Sequence, residues 1–456
     1  MESQTEGISR VRTRQMQRDQ ARLSKLAHKQ KSVFRLFSWT LLGNVVYAAC
    51  QLGMLVVLAR MGSVKDVGLF SLALAISAPV FMLANLQLRG VIATDASKHH
   101  PTGAYISLRI VSSCMALLVV AGFAAVYLPD RTAALAIILM GAAKFFEAIS
   151  DVLYGWWQQH EKMDWSGSSL MMRGIVSLVV FGGTYYYAGE LATALAAYAG
   201  SWMLLLMLYD WPRAVRLKGF KWRSSPVQWW GLIKQCWPLG IVMMLVSLQA
   251  NVPRYLIADA YGHEALGYYS ALLYVTVAIT TVVSSLGQSV SPRLSRAWAQ
   301  HDEGTVKSVL NKSMYVISGM GVAAMIIIAV AGKWMLSLLY GSGYDAYYDL
   351  LILLVLGAVI GCVASLFGFA LTAARVFKAQ LIINAAGVGV TLAAQYLFIQ
   401  LGMSLISAGY AMIIVSVTNM LFAYLIWNHR IRQWRLVQAE EKTVTLPLFM
   451  LGRERG

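Results

Sequence analysis

The residues able to do chemistry stand at helical spacing inside long apolar runs. Asn44, Tyr47 and Gln51 are spaced i, i+3, i+7, and Asn85 and Arg89 are spaced i, i+4. Ser247, Asn251 and Arg254 repeat an i, i+4, i+7 pattern, as do Thr281, Ser285 and Gln288. Each set shares one face of a helix. The chemistry on offer is binding of an anion. A guanidinium presents a planar fork of donors that matches phosphate oxygens and keeps its charge at every biological pH. Lys144, Glu147 and Asp151, at i, i+3, i+7, form a further charged face. Glu147 and Asp151 repel each other at i, i+4 unless they are paired or share a proton. Two readings therefore stand for this cluster: a coupling site, or a structural charge network tying its helix to its neighbours. Arg89 also fits a snorkelling anchor at the membrane surface, and Arg254 also fits a pair with Asp259. A single polar stripe is equally the mark of ordinary interhelical hydrogen bonds, worth about 0.6 kcal/mol each.

The elements that carry these residues are set by composition. The chain has 456 residues, 58% hydrophobic and 13% charged, with a mean hydropathy of +0.60. Soluble domains hold about 25% charged residues, so the expected class is an all-α polytopic membrane protein. An arginine at mid-helix in lipid costs about 2.5–3.5 kcal/mol on the insertion scale, so the stripes are expected to face protein or water. Twelve apolar segments follow a basic stretch at 1–36: 37–61, 67–91, 105–128, 132–157, 170–188, 192–211, 235–258, 266–291, 312–331, 346–372, 378–400 and 405–428. Each is close to the roughly 20 residues a span needs. Trp334 to Tyr340 read as an interfacial piece within an outer loop at 332–345. The net charge of +17 is spread over particular loops and both tails. That distribution is what membrane orientation produces, and no nucleic-acid partner is expected. The loop with Arg213, Arg216, Lys218, Lys221 and Arg223 is strongly basic, whereas the intervening loops offer only Lys65, Arg131 and Lys333. Both termini are thus expected in the cytoplasm. The polar, basic start predicts no cleaved leader, so the first apolar helix is expected to direct insertion. The start reads either as a disordered tail or as an amphipathic helix on anionic lipid. Cys50, Cys114, Cys236 and Cys362 have no metal or disulfide spacing, and His99 and His100 lack metal partners; no cofactor and no metal are expected.

The chain repeats itself. Gly62-Ser-Val-Lys-Asp-Val-Gly68-Leu-Phe-Ser71 follows the first segment, and Gly262-His-Glu-Ala-Leu-Gly267-Tyr-Tyr-Ser270 follows the seventh. An even number of spans separates the copies, so they share one orientation and form a parallel repeat about an axis along the membrane normal. The expected organisation is a first six-helix lobe at 37–211, a linker at 212–234, a second six-helix lobe at 235–428 and a tail at 429–456. The four polar stripes then fall on the first two helices of each half, which points to a hydrated central cavity between the lobes.

These turns, the two six-helix halves, the basic N-terminal stretch and the word NVPRYLI at 251–257 resemble the polysaccharide transporter branch of the multidrug/oligosaccharidyl-lipid/polysaccharide exporter superfamily. These are the Wzx-type flippases of O-antigen, capsule and teichuronic-acid pathways. The resemblance covers about residues 37–430 and rests on architecture plus short words. It implies a V-shaped pair of lobes and a non-enzymatic carrier in the bacterial cytoplasmic membrane. The implied substrate is a polyprenyl-diphosphate-linked oligosaccharide moved from the inner to the outer leaflet. Membrane lipids and polysaccharide-assembly proteins are the implied surroundings. The drug-exporter branch often carries an acid in its first helix; 37–61 has none. An exporter of small molecules or of another lipid precursor is the alternative within the fold. A membrane polymerase or ligase is the alternative outside it, and the short outer loops leave little room for a catalytic pocket.

Overall fold

The computed structural model describes residues 38–451 except 96–99, 129 and 375, and leaves out the side chains of 278, 285, 288, 289, 292, 377, 378 and 437–451. The readings made of the basic start, and of the side chains of Ser285 and Gln288, lie outside the described residues.

Helices account for almost all of the described chain, and no strand occurs among the described residues. They are α1 (Ser38–Met61), α2 (Val64–Asn85), α3 (Leu88–Thr94), α4 (Thr102–Tyr127), α5 (Arg131–Gln159), α6 (Met163–Ala188), α7 (Leu191–Leu205) and α8 (Trp211–Arg216). After them come α9 (Pro226–Ala299), α10 (Glu303–Tyr340), α11 (Tyr348–Ala373), α12 (Phe377–Gln400) and α13 (Ser407–Leu451). Eleven helical stretches among the described residues are long and apolar enough to cross a membrane. One of them, in α9, crosses twice. Its backbone breaks at Gly262, with φ 81° and ψ −178°, a region that residues with a Cβ avoid. A straight helix of this length would run for about 110 Å, several times the thickness of a membrane. The protein is therefore a multi-pass membrane protein whose described residues supply about twelve crossings in two halves.

Two expected spans are corrected. The 67–91 segment is not one helix. The chain breaks between α2 and α3 at Leu86 and Gln87, both in left-handed conformation with φ 48° and 52°. Asn85 and Arg89 consequently do not share a helix face. The 312–331 span is too short, since α10 runs from Glu303 to Tyr340. Trp334 to Tyr340 are its last turns, and the connection shrinks to 341–347. Helices α9 and α13 also extend beyond their apolar cores, from Pro226 and to Leu451. Hydropathy marks where lipid begins; caps such as Ser225, whose hydroxyl accepts from Gln228 N–H, mark where the helix begins.

The two copies of the repeated turn pack against each other. A Cβ on Gly68 would lie 1.9 Å from the carbonyl oxygen of His263, and one on Gly267 would lie 2.1 Å from that of Val64. Only glycine allows these backbones to meet. One turn further on, the equivalent serines Ser71 and Ser270 share a buried hydrogen bond of 2.6 Å. Around them lies an apolar core drawn from both halves, including Leu72, Leu266, Tyr269, Leu272, Tyr340 and Leu351. Arg60 donates to the last carbonyls of α10, at 2.9 Å for Ser337 and 3.2 Å for Leu339, and Tyr255 donates to the Ala75 carbonyl. At the opposite end, which carries the 212–225 linker, there are two further cores, the first of which also takes in Leu232 and Cys236 from the start of α9. One surrounds Tyr105, Trp156 and Trp157. The other surrounds Leu294, Leu366, Trp427 and Trp434. The halves thus meet at the turn end and diverge toward the linker end.

Candidate functional site: a charged cavity at membrane depth

The break between α2 and α3 builds the site. Residues at i, i+2 and i+4 cannot face one way on an α-helix, yet Asn85, Gln87 and Arg89 all line one cavity. Two non-glycine residues in left-handed conformation cost about 1–3 kcal/mol each. Gly240 of α9 lets its helix press against the break, where a Cβ would come 3.1 Å from the Leu83 carbonyl oxygen.

The cavity has a volume of about 370 Å³. Asn44 and Tyr47 of α1 form one wall, and Lys144, Glu147, Asp151 and Tyr154 of α5 form another; Arg173 of α6 and Met243 of α9 complete it. It thus gathers seven of the residues singled out by spacing: Asn44, Tyr47, Asn85, Arg89, Lys144, Glu147 and Asp151. It does not include Ser247, Asn251, Arg254, Gln51 or Thr281. Gln51 donates instead to the Tyr198 hydroxyl at 3.3 Å, and Thr281 bonds the Val277 carbonyl at 2.7 Å. Arg254 is 8% exposed and donates to Asn251, whose amide in turn donates to the Ser247 carbonyl at 2.7 Å. The stripe is therefore a hydrogen-bonded chain, buried at Asn251 and Arg254 and half-buried at Ser247. Arg254 makes no ion pair with Asp259 among the described residues, and its Nε has no hydrogen-bond partner.

Each carboxylate of α5 has its own cation. Lys144 Nζ is 2.6 Å from Glu147. Asp151 bridges two arginines at 3.2 Å each, Arg89 through Oδ1 and Arg109 through Oδ2. Arg109 is fully buried and also donates to Asn85; Arg89 is 34% exposed. The repulsion between Glu147 and Asp151 is offset by separate cations.

Sequence spacing missed the deeper layer. Arg173 donates to Asp210 at 3.1 Å and to Ser150 at 2.5 Å, and both charges are buried. Ser169 donates to Asp210 at 2.6 Å and exchanges a hydrogen bond with Tyr154. The Arg173 guanidinium lies 4.8 Å from the Trp202 ring centroid, a cation–π contact. Asp210 is delivered by a π-helical turn at Leu206–Asp210, a distortion that often marks function. The signal was present as charges inside apolar segments. Their partners sit 37 and 42 residues away on other helices, where periodicity cannot reach. Among the described residues no cluster of His, Cys, Asp and Glu fits a metal.

Two six-helix repeats that close at one end around a polar, charged cavity define a membrane transporter. The chain belongs to the polysaccharide biosynthesis protein family, which matches residues 33–298; the MatE family matches residues 238–397. It is 27% identical over 323 residues to the capsular polysaccharide biosynthesis protein CapF of Staphylococcus aureus, covering 70% of this chain and 81% of that one. Its fold is similar to that of a multidrug resistance MATE family transporter of the MOP superfamily in an inward-facing conformation. The TM-score is 0.72 at 12% identity, over 85% of this chain and 95% of that one. It is also similar to the lipid II flippase MurJ in an inward closed conformation, with a TM-score of 0.70 at 12% identity, over 86% and 87% of the two chains.

Proposed function

We propose that this protein moves a polyprenyl-diphosphate-linked oligosaccharide across the bacterial cytoplasmic membrane by alternating access, for surface polysaccharide synthesis. The observation that carries the reading is the Arg89–Asp151–Arg109 bridge beside Arg173 and Lys144 at membrane depth. Asp151 holds two cations, of which one is buried and one reaches the cavity. When Arg89 turns to a phosphate, Asp151 keeps Arg109, so no charge is orphaned. Exchange of Arg89 between carboxylate and diphosphate therefore proceeds without the penalty of baring a buried ion. Asn44, Asn85 and Gln87 add donors and acceptors suited to sugar hydroxyls. The chain acts as a carrier, and no catalytic step is assigned to it.

The basic linker supports a cytoplasmic placement for the linker end and both termini. The cavity then opens to the side where the lipid-linked unit is made, and the turn end forms the outer seal. Arg254, buried in the closed half with a spare Nε, is the second phosphate contact, reached when the turn end opens. The test is reconstitution. Proteoliposomes holding the purified chain should translocate a labelled polyprenyl-diphosphate oligosaccharide, and Arg89→Gln should remove most of that activity. Wild-type vesicles that move the lipid no faster than protein-free vesicles would overturn the reading.

A further inference from the structure

Pro79 stands inside α2, where it has no N–H to give the Ala75 carbonyl four residues earlier. That carbonyl loses its ordinary partner within its own helix. Ala75 is 0% exposed, and its surroundings are apolar: Ile76, Pro79, Val80 and Leu248 line a cavity of about 550 Å³ beside it. A lone carbonyl at membrane depth is costly. The other half of the molecule supplies the missing donor, since the Tyr255 hydroxyl of α9 bonds the Ala75 carbonyl. Tyr255 lines the same cavity, and its ring packs on the core shared by the two halves at the turn end. The internal repeat shows that the proline and the hydroxyl go together. With Gly62 set on Gly262, Leu55 stands at the position matching Tyr255. With Gly68 set on Gly267, Ala278 stands at the position matching Pro79. The reciprocal pair of the repeat therefore has neither the proline nor the hydroxyl. Arg60, another donor across the halves at this end, is exposed, so the α10 carbonyls it holds pass to water at little cost when the contact breaks.

We propose that Tyr255 is the latch of the turn end and sets how often that end opens. The inference deepens the alternating-access reading and rests on it. With the halves together, the hydroxyl matches a carbonyl that its own helix leaves unmatched. With the halves apart, α2 and α9 face an opened cleft, and water serves both groups. Removing the hydroxyl therefore penalises the closed state alone, and the balance moves toward opening. The penalty depends on Pro79, because a residue with an N–H at that position would satisfy Ala75 from within α2 in both states.

The experiment uses the full chain, purified in phosphatidylcholine nanodiscs, with its native cysteines replaced and Ser270→Cys added. Ser270 is 0% exposed on the seam between the halves. A water-soluble thiol reagent therefore modifies that position only when the turn end opens, and the rate reports the open fraction. Tyr255→Phe keeps the ring and removes only the hydroxyl. It should raise the rate about tenfold, as stranding a buried carbonyl predicts. In a Pro79→Ala background the same change should raise it no more than about threefold, because no carbonyl is stranded there. No lipid-linked substrate takes part, so failure here and failure of the transport reading are separate results. An unchanged rate in Tyr255→Phe overturns the proposal. So does an equal rise in both backgrounds, which is what a general loosening of the fold would give.

Discussion

Arg89 and Asp210 illustrate how position decides what a charge does. Arg89 is a third exposed and its carboxylate has a second partner. Arg89→Gln should therefore leave the thermal unfolding midpoint in detergent within a few degrees of wild type while translocation falls at least tenfold. A large loss of folded protein would mean that Arg89 is structural. Asp210 is wholly buried against Arg173. Removing one partner of such a pair strands the other and costs about 3–5 kcal/mol. Asp210→Asn should accordingly give a clearly lowered midpoint, and an unchanged one would show that Arg173 finds another acceptor. For Arg254 the sequence left two readings, a substrate contact and a pair with Asp259. Because it bonds Asn251 and not Asp259, Asp259→Ala should transport normally. Arg254→Ala should transport poorly, and adding Asp259→Ala to it should restore nothing. Rescue by the double change would return Arg254 to a pair with Asp259.

At the level of elements, the two glycine turns and the serines beyond them form the closed end. The hydroxyls of Ser71 and Ser270 lie 2.6 Å apart, so cysteines at both positions bring two sulfurs within bonding reach. Ser71→Cys with Ser270→Cys should form a crosslink under mild oxidation that stops transport, and a reductant should restore it. A crosslinked protein that still transports would show that the turn end does not open. The break in α9 depends on Gly262. Placing a Cβ at φ 81° and ψ −178° should cost about 1–3 kcal/mol, read as a lowered unfolding midpoint for Gly262→Ala.

For the whole molecule, the proposed outer placement of the turn end predicts which surfaces a membrane-impermeant thiol reagent reaches in intact cells. Of the native cysteines, Cys114 is exposed and the other three are buried, so Cys114 is replaced first. Ser342→Cys, in the connection after α10, should then react from outside. Lys218→Cys, in the linker, should react only after the inner face is opened. Labelling of Lys218→Cys in intact cells would invert the orientation and, with it, the direction of transport.

Apolar run length and the two glycine-serine words were enough to read a two-repeat membrane protein of about twelve spans, because lipid imposes length and composition on each segment separately; that it is a transporter came from the family resemblance. Part of the cavity was legible for the same local reason: Asn44 and Tyr47, and likewise Lys144, Glu147 and Asp151, share a face through helical spacing alone. The rest was decided in three dimensions. Asn85, Gln87 and Arg89 share a wall only because the helix breaks at Leu86 and Gln87, against the spacing rule. Arg109, Arg173 and Asp210 are paired across helices distant in sequence. The meeting of the two repeats at Gly68 and Gly267 is likewise a tertiary fact. A periodic pattern specifies which way a residue points from its own helix axis; which other helix stands there is fixed by packing and by ion pairing that membrane burial makes obligatory.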